Sequence, residues 1–349
     1  MATITINGKK FSVPNEMTIL EAARRNGVQV PTLCHHPQLT PFGGCRLCIV
    51  QVKGMPKPVA SCTTSVSDGM EVLTSTPEIE DYRRMVLELI LSDHPNDCMT
   101  CEATGSCALQ ELAYTYGVRG EEYAGERRLY PKRDGNPFIE RDLEKCVMCG
   151  RCVKVCDEIQ GVEAIDFGYR GFKSKIVPVY EDDLDCEFCG QCVSVCPTGA
   201  LTGKQWARRG RYEGMRQVDT VCPYCGTGCT VTAHVKTSAN EITRITSNPW
   251  TGNEGWLCVK GRFGYKFVNS PDRLTRPLIR RKGGEFEETS WAAAIEYTAG
   301  WLRKIREEHG PDVIGGLSSA RCTNEENYLF QKFMRAAVGT NNVDHCARL

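Results

Sequence analysis

The sequence has no excess of charge of either sign. Lysine plus arginine and aspartate plus glutamate each number 43, so the formal net charge is zero. With no basic surplus, nothing points to a nucleic acid or an anionic membrane surface as partner. A membrane-length apolar run is also missing. A spanning helix needs about 18 or more apolar residues, and the longest candidate, Met85–Leu91, is interrupted by Glu88. The opening Met-Ala-Thr-Ile-Thr-Ile-Asn-Gly alternates like a strand and lacks the basic and apolar regions of a signal peptide. Arg24-Arg25 lies inside a helical pattern rather than in a twin-arginine leader. No G-x-G-x-x-G nucleotide fingerprint occurs. The expectation is a cytoplasmic chain with no membrane span, in a compartment where thiols stay reduced.

Against these absences stands an abundance of cysteine: 21 in 349 residues. In a reducing compartment that density means metal rather than disulfides. Nearly all fall into groups with ligand spacing. Cys34, Cys45, Cys48 and Cys62 form C-x10-C-x2-C-x13-C. His94, Cys98, Cys101 and Cys107 follow. Two copies of C-x2-C-x2-C-x3-C run from Cys146 to Cys156 and from Cys186 to Cys196. Cys222, Cys225, Cys229 and Cys258 close the series. Together they make five four-ligand sites and leave Cys322 and Cys346 over. Lone cysteines are most often small buried hydrophobes.

Thiolate binds both zinc and iron, so each group has two readings. The tandem repeat is the most specific, because in C-x2-C-x2-C-x3-C-P three cysteines hold one cube and the fourth crosses to the other. Cys146, Cys149, Cys152 and Cys196 are therefore assigned to one [4Fe–4S] cluster, and Cys186, Cys189, Cys192 and Cys156 to the second. Pro197 follows Cys196 as the pattern asks, whereas Asp157 follows Cys156. The first group, with Gly43-Gly44 allowing close backbone approach, favours a [2Fe–2S] cluster, zinc being the alternative. His94 and its three cysteines would suit zinc or a [4Fe–4S] cluster with one imidazole ligand; the neighbouring sites favour the cluster. His35 and His36 are read as structural. The Cys222 group, with Gly226, Gly228 and Gly255 around it, is the fifth site.

Local patterns place these groups. Ile4, Ile6, Phe11 and Val13 around Asn7-Gly8 predict a hairpin. Thr18 to Glu21 predicts a capping box and a helix to about Asn26. Strands are expected at Ile49–Val52, near Val59–Cys62 and at Glu71–Thr74. Pro77-Glu78 reads as a boundary before a helix from Ile79 to Leu91. A helical, cysteine-rich piece runs to about Gly117, a charged linker covers 119–136, and an arginine-rich connector covers 208–217. Beyond 271, Trp291–His309 predicts an amphipathic helix, Val313–Leu317 a buried strand, and Thr323 to Glu326 a second capping box opening a helix to about Val338.

Residues 1–207, in their order of sites, resemble the N-terminal electron-input module of iron-only hydrogenases. Their first two parts also resemble the large iron–sulfur subunit of respiratory complex I, which is expected to lack the tandem repeat. Val-Cys-Pro-Tyr-Cys-Gly-Thr-Gly-Cys at 221–229, with Gly-Trp-Leu-Cys-Val-Lys-Gly-Arg-Phe at 255–263, resembles the start of the molybdopterin oxidoreductases. Ser318–Tyr328 and Gly339–Leu349 resemble formate dehydrogenase, specifically cytoplasmic NAD(P)-linked alpha subunits with an N-terminal cluster extension.

The resemblance implies an α+β multidomain chain. Its parts are a β-grasp [2Fe–2S] ferredoxin domain (1–78), a helical histidine-ligated [4Fe–4S] domain (79–118), a tandem [4Fe–4S] ferredoxin domain (137–207), a [4Fe–4S] molybdopterin-oxidoreductase domain (215–271) and the beginning of an α/β pterin-binding domain (272–349). It implies interconversion of formate and carbon dioxide at a molybdenum or tungsten bis-molybdopterin guanine dinucleotide, with electrons passed to a flavin- and NAD(P)-binding iron–sulfur subunit. Ferredoxin or a hydrogenase module is a further candidate partner. Lys260 would relay electrons between cubane and pterin, and Ser318, Arg321, Asn324 and Glu325 would contact the pterin. The metal ligand, selenocysteine or cysteine, is expected directly after Leu349. A UGA codon read as a stop would account for that end, and these residues alone are expected to be inactive. The alternatives are a non-catalytic electron-transfer polypeptide and another molybdopterin oxidoreductase, such as a nitrate reductase.

Overall fold

The computed structural model describes residues 1–120, 122–123, 125–131, 135–206, 214–280 and 283–345. Cys346, most of the 208–217 connector and the Ala-Arg-Leu end lie outside the described residues. The chain divides into two compact units: 1–216 with 236–239, and 217–235 with 240–349.

The first unit opens with the expected hairpin, β1 (Ala2–Ile6) antiparallel to β2 (Lys9–Val13), turning at Asn7 and Gly8 with positive φ. Helix α1 (Ile19–Arg25) carries the capping box: Thr18 Oγ1 accepts from Glu21 N at 3.2 Å, and Glu21 Oε2 accepts from Thr18 N at 2.7 Å. Strands β3 (Ile49–Val52), β4 (Val59–Ala60) and β5 (Glu71–Leu73) complete a sheet of order β2-β1-β5-β3-β4. Only β1 and β5 run parallel; the other pairs are antiparallel. Ile4, Ile6, Ile19, Leu20 and Val50 fill the space between sheet and helix, and Cys48 and Cys62 are buried in the same core.

Helix α2 (Pro77–Asp93) starts at Pro77, two residues before the expected Ile79, with Thr76 as its cap. Proline is favoured at that position because the first-turn N–H has no helical partner in any case. Helix α3 (Ala108–Tyr116) ends on left-handed Gly117. Leu87 and Leu91 of α2 pack with Leu109 of α3 and with Leu33 and Leu47 of the first cysteine loop, and Cys45 and Cys107 lie against this cluster.

The tandem repeat folds as two similar halves. Helix α4 (Arg151–Lys154) follows left-handed Gly150, and helix α5 (Gln191–Val195) follows left-handed Gly190. Around them lie β6 (Ile139–Arg141), the hairpin β7 (Ile165–Gly168) with β8 (Lys175–Pro178), and β9 (Leu201–Gly203), which pairs with β6.

In the second unit, β10 (Met215–Val221), β11 (Thr230–Lys236) and β12 (Glu241–Thr246) form a three-stranded sheet, followed by the short helix α6 (Val259–Phe263). A hairpin, β13 (Leu278–Arg280) with β14 (Phe286–Glu288), leads to α7 (Trp291–His309). The buried strand expected at 313–317 is shorter and shifted. It is β15 (Gly316–Ser318), pairing parallel with β16 (Val343–His345), and Val313 and Leu317 are 59% and 83% exposed. The strand has one neighbouring strand, and Phe330 and Met334 cover it at Gly316, while Leu317, on the opposite face, is left to solvent. Helix α8 (Asn324–Phe333) begins at the predicted capping box, continues as a wider turn over Met334–Val338 and stops at left-handed Gly339.

Candidate iron–sulfur centres

The repeat halves present their sulfurs alike. Two residues after the first cysteine of each, a left-handed residue turns its amide back: Met148 N donates to Cys146 Sγ at 3.4 Å and Phe188 N to Cys186 Sγ at 3.3 Å. Cys146, Cys149, Cys152 and Cys196 line one enclosed cavity among Leu143, Ile165, Ile176 and Leu201. Burial, then repulsion from Cys196, pushes the Cys149 thiol up to about 12. Cys192 is raised by burial and then by Cys189, Cys186 and Cys156. The fold thus brings the four thiols of each crossed set within electrostatic reach of one another. Apolar surroundings and mutual repulsion hold Cys149 and Cys192 neutral unless a cation compensates them.

In the first loop the four thiols form two close pairs. Cys34 and Cys45 share a hydrogen bond, as do Cys48 and Cys62. The bond from Cys34 holds Cys45 down to about 5, and that from Cys62 holds Cys48 down to about 6. Backbone amides add to this, with Leu33 N to Cys45 Sγ and Cys45 N to Cys34 Sγ both at 3.5 Å. Two sulfur pairs side by side match two metal ions with two thiolates each. Gly43 stands at φ 70°, and a Cβ on Gly44 would lie 2.5 Å from the Phe42 ring.

His94 ends α2 in an extended conformation, and its buried Nδ1 has no hydrogen-bond partner. Burial lowers its pKa, leaving a neutral imidazole nitrogen suited to a metal. His94, Cys98 and Cys107 line one cleft of about 470 Å³. Cys101 faces the repeat instead: a Cβ on Gly199 would stand 2.5 Å from Cys101 Sγ, so only glycine fits there. Cys107 Sγ reaches Pro197 O at 3.6 Å, and Ala108 N donates to the same oxygen at 2.9 Å. Among the described residues no three His, Cys, Asp or Glu side chains converge as they would on a single ion.

In the second unit Cys222 is buried beside Val231, Ala233, Ile245 and Leu257, while Cys258, at the start of α6, is exposed. Cys222 and Cys229 are raised by burial and then by the other thiols of the set. Lys260 is exposed on α6. Of the pterin candidates, Ser318 bonds Asn327, Arg321 lies over the Tyr224 ring at 5.9 Å, and Asn324 and Glu325 are exposed in the first turn of α8. Cys322 is exposed rather than buried.

Three cations escaped the sequence reading. Arg24 donates to Thr32 Oγ1 at 2.9 Å and His35 Nδ1 at 3.1 Å, with Cys48 and Cys62 nearby. Lys145 bridges Asp97 and Asp142, each at 3.2 Å, beside Cys101. Arg151 lies between the first loop and the repeat. A basic residue inside a cysteine run was the one available signal, and it marked only Arg151.

Family models match in the same order. They are a 2Fe-2S iron-sulfur cluster binding domain (1–77), an NADH-ubiquinone oxidoreductase-G iron-sulfur binding region (83–122), an NADH-quinone oxidoreductase subunit 3 ferredoxin-like domain (136–202), a molybdopterin oxidoreductase Fe4S4 domain (215–270) and a molybdopterin oxidoreductase domain (273–349). The series defines an α+β multidomain iron–sulfur region like that of the NADH-quinone oxidoreductases, joined to a molybdopterin-oxidoreductase segment.

The chain is 42% identical, over all its 349 residues, to the NADPH-Fe(3+) oxidoreductase subunit alpha of Geobacter sulfurreducens. It is 36% identical over its whole length to an NADH-quinone oxidoreductase subunit of Rhizobium meliloti. A protein of Staphylococcus aureus provisionally named a formate dehydrogenase is 32% identical over 99% of the chain. The chain spans about two fifths of these relatives, 40%, 40% and 39% of their lengths. An NAD+-reducing [NiFe]-hydrogenase crystal structure superposes with a TM-score of 0.57 at 28% identity, over 60% of this chain and 91% of that one. A quinone-oxidoreductase ferredoxin-like model covers the tandem repeat, and the Rhizobium protein aligns along the full chain.

Proposed function

We propose that this chain is an electron-transfer region of a cytoplasmic, NAD(P)-linked oxidoreductase. Cys34, Cys45, Cys48 and Cys62 would hold a [2Fe–2S] cluster, and the other four sets, including His94, would each hold a [4Fe–4S] cluster. When bound, these groups supply one-electron storage and transfer. The observation that carries the reading is the contact between neighbouring sets in the first unit. Cys107 touches Pro197 O, next to Cys196, and Arg151 links the first loop to the repeat. Electron tunnelling falls steeply with distance, and such packing serves conduction while adding nothing to a set of isolated structural zincs. The Geobacter relative and the hydrogenase neighbour support a flavin- and NAD(P)-binding partner subunit.

Formate and carbon dioxide remain our second reading for the chemistry at a molybdenum or tungsten pterin. The Ser318–Tyr328 resemblance and the Staphylococcus relative favour it. In that case Arg321, steadied over Tyr224, would face the pterin's anionic groups, and Lys260 would lie beside the Cys222 set.

Anaerobic purification followed by metal analysis and paramagnetic resonance tests the reading. About 18 iron atoms per chain, with one [2Fe–2S] and four [4Fe–4S] signals, is the expected result; about five zinc and no iron would overturn it. In the complete protein, cluster reduction by formate decides the second reading.

A further inference from the structure

Arg151 opens α4 immediately before Cys152. Its Nη2 donates to His35 O at 2.6 Å and its Nη1 to Val195 O at 3.4 Å, while Nε has no partner. Among the described residues no carboxylate pairs with it. The two carbonyls it holds belong to His35, next to Cys34, and to Val195, next to Cys196, one beside each of two ligand sets. The surrounding junction is well packed: Phe42 stacks on Phe167 with centroids 5.5 Å apart, and Thr40 N donates to Glu158 Oε2 at 2.8 Å. A neutral amide could make the same two hydrogen bonds to carbonyls. Arg151 is half-buried with its Nε out of solvent; shielding a cation from water without an anion is costly, so a guanidinium here calls for negative charge on both sides. Thiolates ligating iron–sulfur clusters carry that charge, and each cluster becomes more negative by one on reduction.

We infer that Arg151 is a shared counter-cation for the centres held by Cys34/Cys45/Cys48/Cys62 and by Cys146/Cys149/Cys152/Cys196, stabilising the reduced form of both. The inference rests on the ligand sets proposed above. Arg151 holds no iron; it is a positioning residue acting through charge. Arg24 provides an internal contrast, because its thiol neighbours are Cys48 and Cys62 of the first set alone.

The test is a potentiometric titration of the anaerobically purified chain, followed by paramagnetic resonance. Arg151→Gln lowers both potentials, each by roughly a tenfold change in the reduced-to-oxidised ratio at fixed poise, about 59 mV for one electron. Arg151→Lys keeps both near wild type, and Arg24→Gln lowers only the [2Fe–2S] potential. Intact iron content with one or neither potential moved in Arg151→Gln would overturn the inference. So would an Arg151→Lys shift as large as that of Arg151→Gln, which would assign the role to hydrogen-bond geometry. If Arg151→Gln fails to assemble, Arg151→Lys decides: assembly at wild-type potentials upholds the charge role, and failure there too overturns it. A wild-type chain lacking either signal would sink the ligand assignment instead.

Discussion

In the first unit the cysteine sets are set into packed structure, whereas in the second the set runs from core to solvent, Cys222 buried and Cys258 exposed. Cys45 and Cys107 lie against the Leu33, Leu47, Leu87 and Leu109 core, and Cys149, Cys152 and Cys192 are buried within the repeat. In the second unit Cys258 is exposed, and α7 buries none of its nineteen residues, leaving Trp291 and Ile295 72% and 63% exposed. Both regions use the same devices, close cysteine spacing and left-handed turns. What differs is how far the ligands share in a core. Where they do, iron and fold should stand or fall together; where they do not, iron can leave while the surrounding fold persists.

Substituting one ligand in each region breaks this comparison most sharply. Cys196→Ser removes a ligand beside Pro197, whose carbonyl anchors both Ala108 and Cys107. We expect loss of about four irons and a lower unfolding midpoint for the whole first unit. Cys258→Ser should lose about four irons with the first unit's midpoint unchanged. Iron per chain and hydrogen exchange resolved by unit give both numbers. Equal destabilisation of the first unit by the two variants would show that the contrast in burial has no consequence.

A smaller effect sharpens the contrast from the second unit's own core. His234 of β11 is fully buried, its Nε2 2.8 Å from Thr246 Oγ1, and burial followed by Arg244 lowers its pKa to about 4. An unfolded histidine titrates near 6.5. Between those values the unfolded chain binds a proton that the native chain does not, so stability is complete above about pH 6.5 and falls as pH drops toward 4. The full loss is about 3 kcal/mol at most. Tryptophan fluorescence follows this unit, since Trp250, Trp256, Trp291 and Trp301 lie within it. The denaturant midpoint should decline with acid in wild type and decline less in His234→Gln. Identical pH profiles would remove His234 from the account.

Legibility of the sequence followed the range of the interactions involved. The hairpin at Asn7-Gly8, both capping boxes and Trp291–His309 were readable because turns, caps and helical period are set by neighbours along the chain. The crossed sets of the repeat are inferred from ligand spacing, a local constraint with a long-range consequence, and the fold brings Cys149 near Cys196 and Cys192 near Cys156. Val313–Leu317 misled because an apolar run states only that burial would be favourable, and β15 is covered at Gly316 while Leu317 faces solvent. The start of α2 was read two residues late because proline both breaks helices and starts them, and the cap at Thr76 sets it at Pro77. Arg24 and Lys145 were invisible because their meaning depends on which thiols the fold brings beside them.

The two capping boxes give the finest comparison, because their local geometry is the same while their surroundings differ. Thr18 Oγ1 and Thr323 Oγ1 each accept an N3 amide at 3.2 Å, and Glu21 and Glu326 each return a 2.7 Å bond. Replacing a capping threonine by alanine costs about 1 kcal/mol in either case. In α1, Ile19, Leu20, Ala22 and Ala23 are buried, so the helix cannot fray without opening the sheet core. The cost of Thr18→Ala should therefore appear in global unfolding. Within α8 no residue is buried, so the first turn can open by itself, and local opening is set by local contacts. Thr323→Ala should speed amide exchange at residues 324–327 several-fold and leave the unfolding midpoint in place. If it lowered the midpoint as far as Thr18→Ala does, α8 would be as tightly coupled to a core as α1, and the contrast between the units would fail at its most local test.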